Sequence, residues 1–308
     1  MSKLVKVAAA VIALAVLLSG CRLLPSEPIE VGVIVTRSFG NGLLLDERVT
    51  VDDGSSARDA LEQAASVETA YGGGFITAIN GVPSTAGEDW FFYVNGILTN
   101  VGAGGYALHE GDVERWDFHS WGFYSFVSAL VGDFPEPFVH GYGGEVCPAV
   151  VVYQPGLEDE AGDVAGMLAR LGVGNVSAVT AAELSPEEKE WCNLILLGAL
   201  DCELVSELNQ LRDELCFYAY FEGGELLLLD SRGEVAGEYG AGCGLIQAAQ
   251  SPWNPGGIGA CQNVVWMVSG TDEAGVRDAA DVLVNRSAEL RHAFAAVIAG
   301  GEVIKVPQ

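Results

Sequence analysis

The hydrophobic and polar positions of this chain begin to alternate at residue 31. Val31, Val33 and Val35 alternate with Gly32, Ile34 and Thr36, which indicates a β-strand because successive side chains of a strand point to opposite faces. Residues 43–51 predict a second strand, and the turn sequence 40–42 (Gly-Asn-Gly) joins the two as a hairpin. The organised part of the chain therefore starts with paired strands.

A helix is predicted directly after this hairpin. Ala57, Ala60, Leu61 and Ala64 recur at three- and four-residue spacing and form one apolar face, and residues 52–56 supply helix-capping side chains. Short strands separated by Asn-Gly and Gly-Asp turns come next. The pattern predicts an α+β domain over residues 30–118, with a helix lying across a mixed sheet. The short strands are predicted at residues 75–79, 90–94 and 113–118.

Residues 119–147 show no regular periodicity and are rich in aromatic residues, glycine and proline. A solvated linker would not need so many rings. We therefore expect a connector that packs against the neighbouring structure.

From residue 148 onward, short apolar runs alternate with amphipathic helical patterns. The runs at 149–153, 194–197 and 264–268 are typical of strands buried on both faces. This alternation predicts a three-layer α/β domain with a mostly parallel sheet over residues 148–308. Helical patterns occur at residues 159–171, 203–215, 273–283 and 289–298.

The N-terminus has the features of an export signal. Lys3 and Lys6 precede an apolar run over residues 7–18. This run is shorter than the roughly 20 residues that span a bilayer, which predicts a cleaved signal peptide over residues 1–20 and not a permanent membrane helix.

The four residues 18–21 (Leu-Ser-Gly-Cys) resemble the bacterial lipobox, in which the cysteine becomes the lipid-modified first residue. The resemblance implies lipid attachment at Cys21, followed by a tether over residues 21–29. The alternative is an ordinary signal peptide followed by an incidental cysteine. We expect a lipid-anchored protein on the extracytoplasmic face of the membrane or at the cell surface.

Charge and composition exclude several classes of partner. The formal net charge of −27 argues against nucleic acid, which needs a basic face, and against direct docking on anionic headgroups. No CxxC pair or Cys/His cluster at zinc spacing occurs, so no metal site is predicted. No nucleophile motif or other catalytic set stands out.

Six cysteines besides Cys21 lie in the second part of the chain. An even number of cysteines outside the cytoplasm is consistent with up to three disulfides, but the sequence does not indicate which cysteines pair. The alternative is that several are buried free thiols. The candidates are Cys147, Cys192, Cys202, Cys216, Cys243 and Cys261.

Residues 31–118 carry segments that resemble a known family. The segments are GFITAING at 74–81, WFFYVNG at 90–96, NVGA at 100–103 and GDVE at 111–114, with the helix opening at 51–61. They resemble the transcobalamin-like C-terminal domain family, the small β-grasp-type module of cobalamin carriers. The resemblance implies a β-grasp-like fold, with a corrinoid such as cobalamin as the candidate ligand. In those carriers an α/α barrel holds most of the corrin, and this chain shows no such barrel.

Several residues of these segments flank turns at one end of the predicted sheet. Aromatic side chains and exposed backbone suit a planar macrocycle with an apolar edge and amide arms. The alternative is structural, because Asn-Gly turns and core aromatics need no ligand. The candidate ligand-binding residues are Trp90, Tyr93, Asn95, Val101, Gly102 and Tyr106.

Three hypotheses for function follow from the sequence. The leading one is a surface lipoprotein that binds a corrinoid without catalysis, for capture or for delivery to an ABC-type importer. The second is a cell-envelope structural or interaction protein that contacts other envelope proteins and binds no small molecule. The third is a hydrolase that uses the α/β domain.

Overall fold

The computed structural model describes residues 27–308. The predicted signal peptide, Cys21 and residues 21–26 of the predicted tether lie outside this range. Within residues 27–308, no helix is both long enough and apolar enough to cross a membrane.

The first unit has eight strands and one helix. Its elements are β1 (Pro28–Arg37), β2 (Gly42–Asp52), α1 (Ala57–Ala64), β3 (Val67–Ala70), β4 (Phe75–Ile79), β5 (Val82–Pro83), β6 (Glu88–Val94), β7 (Ile97–Leu98) and β8 (Val113–Ser120). Five strands form a sheet in the order β2-β1-β8-β6-β7, and β3, β4 and β5 form a smaller sheet. Strand β1 is antiparallel to β2 and parallel to β8, so the larger sheet is mixed.

Helix α1 starts where the sequence places a cap. The Ser56 hydroxyl accepts a hydrogen bond from the Asp59 backbone N–H, and the Asp59 carboxylate accepts one from the Ser56 backbone N–H. Such a cap stabilises a helix by about 1 kcal/mol. Leu61 on the apolar face is fully buried against the sheet, together with Val33 of β1.

The second unit has ten strands and four helices. Its elements are β9 (Ala149–Tyr153), α2 (Glu158–Arg170), β10 (Val176–Thr180), α3 (Pro186–Trp191), β11 (Asn193–Ala199), α4 (Glu203–Gln210), β12 (Ala219–Glu222), β13 (Glu225–Leu229), β14 (Val235–Tyr239), β15 (Gly244–Gln250), β16 (Val264–Gly270), α5 (Glu273–Asn285), β17 (Ala295–Ala299) and β18 (Glu302–Val306). Seven strands form the main sheet in the order β10-β9-β11-β16-β15-β17-β18.

This seven-stranded sheet is mixed, which corrects the predicted mostly parallel arrangement. Strands β10, β9, β11 and β16 run parallel, whereas β15, β17 and β18 join through antiparallel pairs. A loop, not a crossover helix, connects β15 to β16, and Gly300-Gly301 makes a tight turn between β17 and β18. The helix predicted at 289–298 is also wrong, because most of β17 lies within that range.

Both faces of the main sheet are covered. Ile195 and Leu197 of β11 pack with α2 and α5 on one face, whereas Leu194 packs with α4 and the small sheet β12-β13-β14 on the other. The protein is therefore a mixed α+β structure with more strand than helix.

The aromatic segment between the two units packs into the structure. Phe138 is fully buried, and its ring lies 5.3 Å from the ring of Trp266 in β16. Leu130 is also buried, and its backbone N–H donates to the Gly96 carbonyl in the β6–β7 turn. These contacts tie the segment to both sheets.

Candidate functional site

An aromatic cleft opens at the β6–β7 edge of the five-stranded sheet. Its volume is about 530 Å³, within the range of roughly 300–1,000 Å³ usual for small-molecule sites. Strand β6, residues 98–103 after the β6–β7 turn, and residues 121–126 of the connector all contribute to it. The principal side chains of this aromatic cleft are Phe75, Trp90, Phe92, Val101, Trp121 and Phe126.

Buried rings held by the sheet form the floor of the cleft. Trp90 and Phe92 lie on the same face of β6, as residues two apart in a strand must. Trp116 of β8 stacks on Phe92 with ring centroids 4.6 Å apart and an angle of 15° between the planes. The Trp90 indole N–H donates to the Val82 carbonyl at 3.1 Å. The floor is therefore held in place by contacts within the protein.

Exposed apolar side chains form the rim. Phe126 is 64% exposed, and Phe75, Val101 and Trp121 are each 44% exposed. Large apolar side chains clustered around a concave site are typical of binding surfaces, because their exposure is unfavourable in the absence of a partner.

Few polar groups line the cleft. The Asp89 carboxylate already accepts hydrogen bonds from the Ser84 hydroxyl at 2.6 Å and from the Trp90 backbone N–H at 2.8 Å. The Phe92 carbonyl accepts from the Thr99 backbone N–H at 3.1 Å. The arrangement suits a largely apolar ligand with a small number of polar substituents.

Three of the six predicted ligand-binding residues line the cleft. Trp90 belongs to the floor, and Val101 and Gly102 belong to the loop after β7. A Cβ atom at Gly102 would lie 3.1 Å from the Gly74 carbonyl oxygen. The glycine therefore lets two loops of the cleft approach each other closely.

The other three predicted residues, Tyr93, Asn95 and Tyr106, do not line the cleft. Tyr93 is fully buried on the opposite face of β6, where its hydroxyl donates to the Val127 carbonyl at 3.0 Å. Asn95 is a turn residue with φ +51°, and its amide donates to the Asp112 carboxylate and to the Gly141 carbonyl. The Tyr106 hydroxyl accepts from the Gly143 backbone N–H at 2.8 Å. All three form side-chain hydrogen bonds within the protein.

Other cleft residues were not among those the sequence singled out. Phe75 and Phe92 lie in strands and suggested core positions, whereas Trp121 and Phe126 belong to the connector. The high aromatic content of the connector was the one sequence feature that could have indicated that Trp121 and Phe126 belong to the site. No local pattern relates those rings to β6, because tertiary packing brings them together.

A buried polar cluster lies behind the cleft. The Asp117 carboxylate accepts hydrogen bonds from the Thr36 hydroxyl at 2.6 Å and from the Gly40 backbone N–H at 2.8 Å, and lies 2.7 Å from His119 Nδ1. Burial alone would raise the pKa of Asp117, but hydrogen bonds, chiefly that of His119, keep it below its usual value. The His119 ring stacks on Phe91, which lines the cleft, at 4.0 Å.

A second, polar crevice lies at the carboxyl ends of β9, β11 and β16. Strand β9 has β10 on one side and β11 on the other, so this is a point where the strand order reverses. The Gln154 side chain accepts from the Ala199 N–H and donates to Asp201, and both Asp272 carboxylate oxygens accept backbone N–H groups. These side chains are already hydrogen-bonded within the protein, and the aromatic cleft remains the better candidate site.

Residues 27–308 contain neither a candidate metal site nor a disulfide. No group of three or more His, Cys, Asp or Glu side chains in this range is arranged to hold a metal ion. All six cysteines predicted to form disulfides, Cys147, Cys192, Cys202, Cys216, Cys243 and Cys261, are free thiols in the structure.

Comparison with known proteins adds a family match over part of the first unit. Residues 54–120 match the family described as Domain of unknown function (DUF4430). This segment includes the cleft floor and the loop after β7. No curated protein matches the chain.

Two solved structures show weak similarity. Haptocorrin in complex with Cbi is 21% identical with a TM-score of 0.28; the match covers 32% of this chain and 27% of haptocorrin. A "putative metal binding protein" from Ruminococcus gnavus ATCC 29149 is 18% identical with a TM-score of 0.25, over 30% of this chain and 97% of that protein. This chain thus spans about a quarter of the haptocorrin chain.

Proposed function

We propose that this protein is a lipid-anchored, extracytoplasmic binding protein that captures a flat, largely apolar ligand in the aromatic cleft. The observation that carries the proposal is the combination of a buried aromatic floor with an exposed, largely aromatic rim. Aromatic rings hold flat ligands by stacking and by burying apolar area. The sparse polar lining argues against a highly charged ligand.

A corrinoid is the best candidate ligand. It offers a broad ring with an apolar edge and amide arms, which suits aromatic side chains and backbone groups. The resemblance of residues 31–118 to a module of cobalamin carriers also favours a corrinoid. Haptocorrin, which is weakly similar in structure, is described in complex with Cbi. The cleft is open to solvent, so a bound corrinoid would keep a free face, accessible to an importer.

Titration of residues 22–308 with cobinamide and cobalamin tests this proposal. Three tryptophans, Trp90, Trp116 and Trp121, line the cleft, so a bound corrinoid should quench their fluorescence. The exposed rim variant Phe126→Ala should weaken binding about three- to tenfold, because it loses one aromatic contact. Phe123→Ala is the matched control, since Phe123 is 41% exposed but does not line the cleft. Absence of quenching at high micromolar ligand would exclude a corrinoid.

The proposed lipid anchor is tested separately at Cys21. Cys21→Ser should release the protein from membranes or leave it as an uncleaved precursor, because acyl chains provide the only lasting anchor in the proposal. A protein without residues 1–20 that stays on membranes after a high-salt wash would show that the anchor lies elsewhere.

A cell-envelope interaction protein is the second candidate. The exposed rim supports it as well, since Phe126 at 64% exposure is suited to contact another protein. If residues 22–308, which lack the anchor, bind to the envelope and Phe126→Ala abolishes this binding, while neither corrinoid quenches fluorescence in the wild type, the interaction role replaces ligand capture.

A further inference from the structure

One buried side chain of the second unit joins segments that build the aromatic cleft. Gln250, at the end of β15, is 3% exposed. Its amide nitrogen donates to the Leu98 carbonyl at 3.0 Å and to the Ser128 carbonyl at 3.2 Å. Its amide oxygen accepts from the Gly259 N–H at 2.9 Å and from the Cys261 N–H at 3.0 Å. All four hydrogen bonds that a glutamine amide can form are made.

Two of these partners belong to the cleft or adjoin it. Leu98 lines the cleft and begins the loop that continues to Ala103, and Ser128 follows the lining residues Ser125 and Phe126 by only two or three positions. The two segments also bond directly, because the Leu98 N–H donates to the Ser128 carbonyl at 3.0 Å. Gln250 therefore secures two of the segments that line the cleft.

The loop between β15 and β16 reinforces this connection. The Cys261 thiol donates to the Leu98 carbonyl at 3.3 Å, and the Asn100 side chain donates to the Gly259 carbonyl at 3.1 Å. Strand β7 is only two residues long, so the chain after Leu98 has little sheet pairing of its own. The position of this loop depends on contacts from the second unit.

We propose that Gln250 is a positioning residue for the aromatic cleft, through which the seven-stranded sheet sets the place of residues 98–103 and of the connector. The inference extends the proposed function by assigning the second unit a role in shaping the binding site. Removing the amide would leave the Gly259 and Cys261 N–H groups without their partner. It would also take one of two donors from the Leu98 and Ser128 carbonyls, which belong to the cleft segments.

The test compares Gln250→Met with Gln247→Met in residues 22–308. Gln247 lies on the same strand and is 2% exposed, but its only side-chain bond is a 3.5 Å contact with the Met267 sulfur, and it does not line the cleft. Both substitutions keep side-chain length and place an apolar group in the same sheet. Hydrogen exchange over residues 97–103 and titration with Nile red, a neutral apolar dye, are the two measurements.

Gln250→Met should speed exchange over residues 97–103 about tenfold and weaken Nile red binding about tenfold, whereas Gln247→Met should change neither. Asn100→Ala, which removes a bond at the surface, should give a smaller change in the same direction and serves if Gln250→Met does not fold. Equal exchange rates and equal dye binding in the two methionine variants would overturn the inference. If Gln250→Met does not fold, wild-type exchange and wild-type dye binding in Asn100→Ala would overturn it.

Neither measurement uses a corrinoid. If wild-type tryptophan fluorescence is not quenched by cobinamide but the exchange difference is present, the corrinoid proposal fails while the positioning role holds.

Discussion

Lowering the pH from 7 to 5 should destabilise the folded protein through His292. The imidazole is 11% exposed, and its Nδ1 lies 3.2 Å from Arg115 Nη2. A guanidinium can only donate, so Nδ1 accepts and the imidazole is neutral. Burial, and then the charges of Arg115 and Arg291, lower the pKa of His292 from its ordinary 6.5 to about 4.

The sign and size of the effect follow from this pKa. Between pH 6.5 and 4 the unfolded chain binds a proton at His292 that the folded protein does not, so the free energy of unfolding falls as the pH falls. Each pH unit in this window costs about 1.4 kcal/mol. The loss attributable to His292 is therefore about 2 kcal/mol at pH 5 and about 3 kcal/mol near pH 4.

Urea unfolding of residues 22–308, followed by tryptophan fluorescence at pH 7 and pH 5, measures this loss. His292→Gln is the reference, because glutamine does not titrate and its amide oxygen can accept from Arg115. Other ionisable groups act on both proteins and cancel in the comparison. The wild type should lose about 2 kcal/mol more than the variant. Equal losses would refute the assignment of a neutral, buried His292.

Three further predictions concern buried groups. The carboxyl oxygens of Glu114 lack hydrogen-bond partners within residues 27–308, and burial raises its pKa well above the usual value. The free energy of unfolding of Glu114→Gln should therefore rise relative to that of the wild type as the pH increases from 5 to 8, because the wild type must bury a charge or keep a proton. A constant difference in urea unfolding would contradict this. Asp133 pairs with the fully buried Arg115 through both carboxylate oxygens, so Asp133→Asn should lower the free energy of unfolding by about 3–5 kcal/mol. Glu30→Gln, at the exposed pair with Arg48, is the control and should change the free energy of unfolding little. Equal losses of stability in Asp133→Asn and Glu30→Gln would disprove the role of burial. Alkylation of the unfolded, unreduced protein should modify six thiols, as the free cysteines of the structure imply. Each disulfide would protect two thiols from alkylation and would favour the disulfides predicted from the cysteine count.

Local features of the first unit were predictable because short-range interactions create them. The Ser56–Asp59 capping box starts α1 where the sequence places it, and both bonds join residues three apart. Asn95 adopts a positive φ at the predicted turn, as an asparagine before glycine commonly does. Such features depend on neighbours along the chain, so tertiary structure was not needed to find them.

The candidate site was predictable only in part. Trp90 and Tyr93 lie in one strand, but Tyr93 is fully buried and its hydroxyl is bonded to the Val127 carbonyl, so only Trp90 reaches the cleft. The motif that contains both residues does not indicate which of its aromatic side chains will line a cleft. Phe126 comes from a segment without periodicity, and its place on the rim depends on the packing of the connector.

By itself the sequence determined the position of several strands and of helix α1, which positions are apolar, and that aromatic residues gather in the connector. The direction of the strands in the seven-stranded sheet was decided only by tertiary structure. An apolar run buried on both faces looks the same in a parallel and in an antiparallel pair, and the loop before β16 and the Gly300-Gly301 turn set the difference. The position of the cleft was decided in the same way, since Gln250 lies 152 residues from Leu98, whose carbonyl it binds. Contacts between residues so far apart leave no periodic pattern in the chain, because they form only when separate elements pack together.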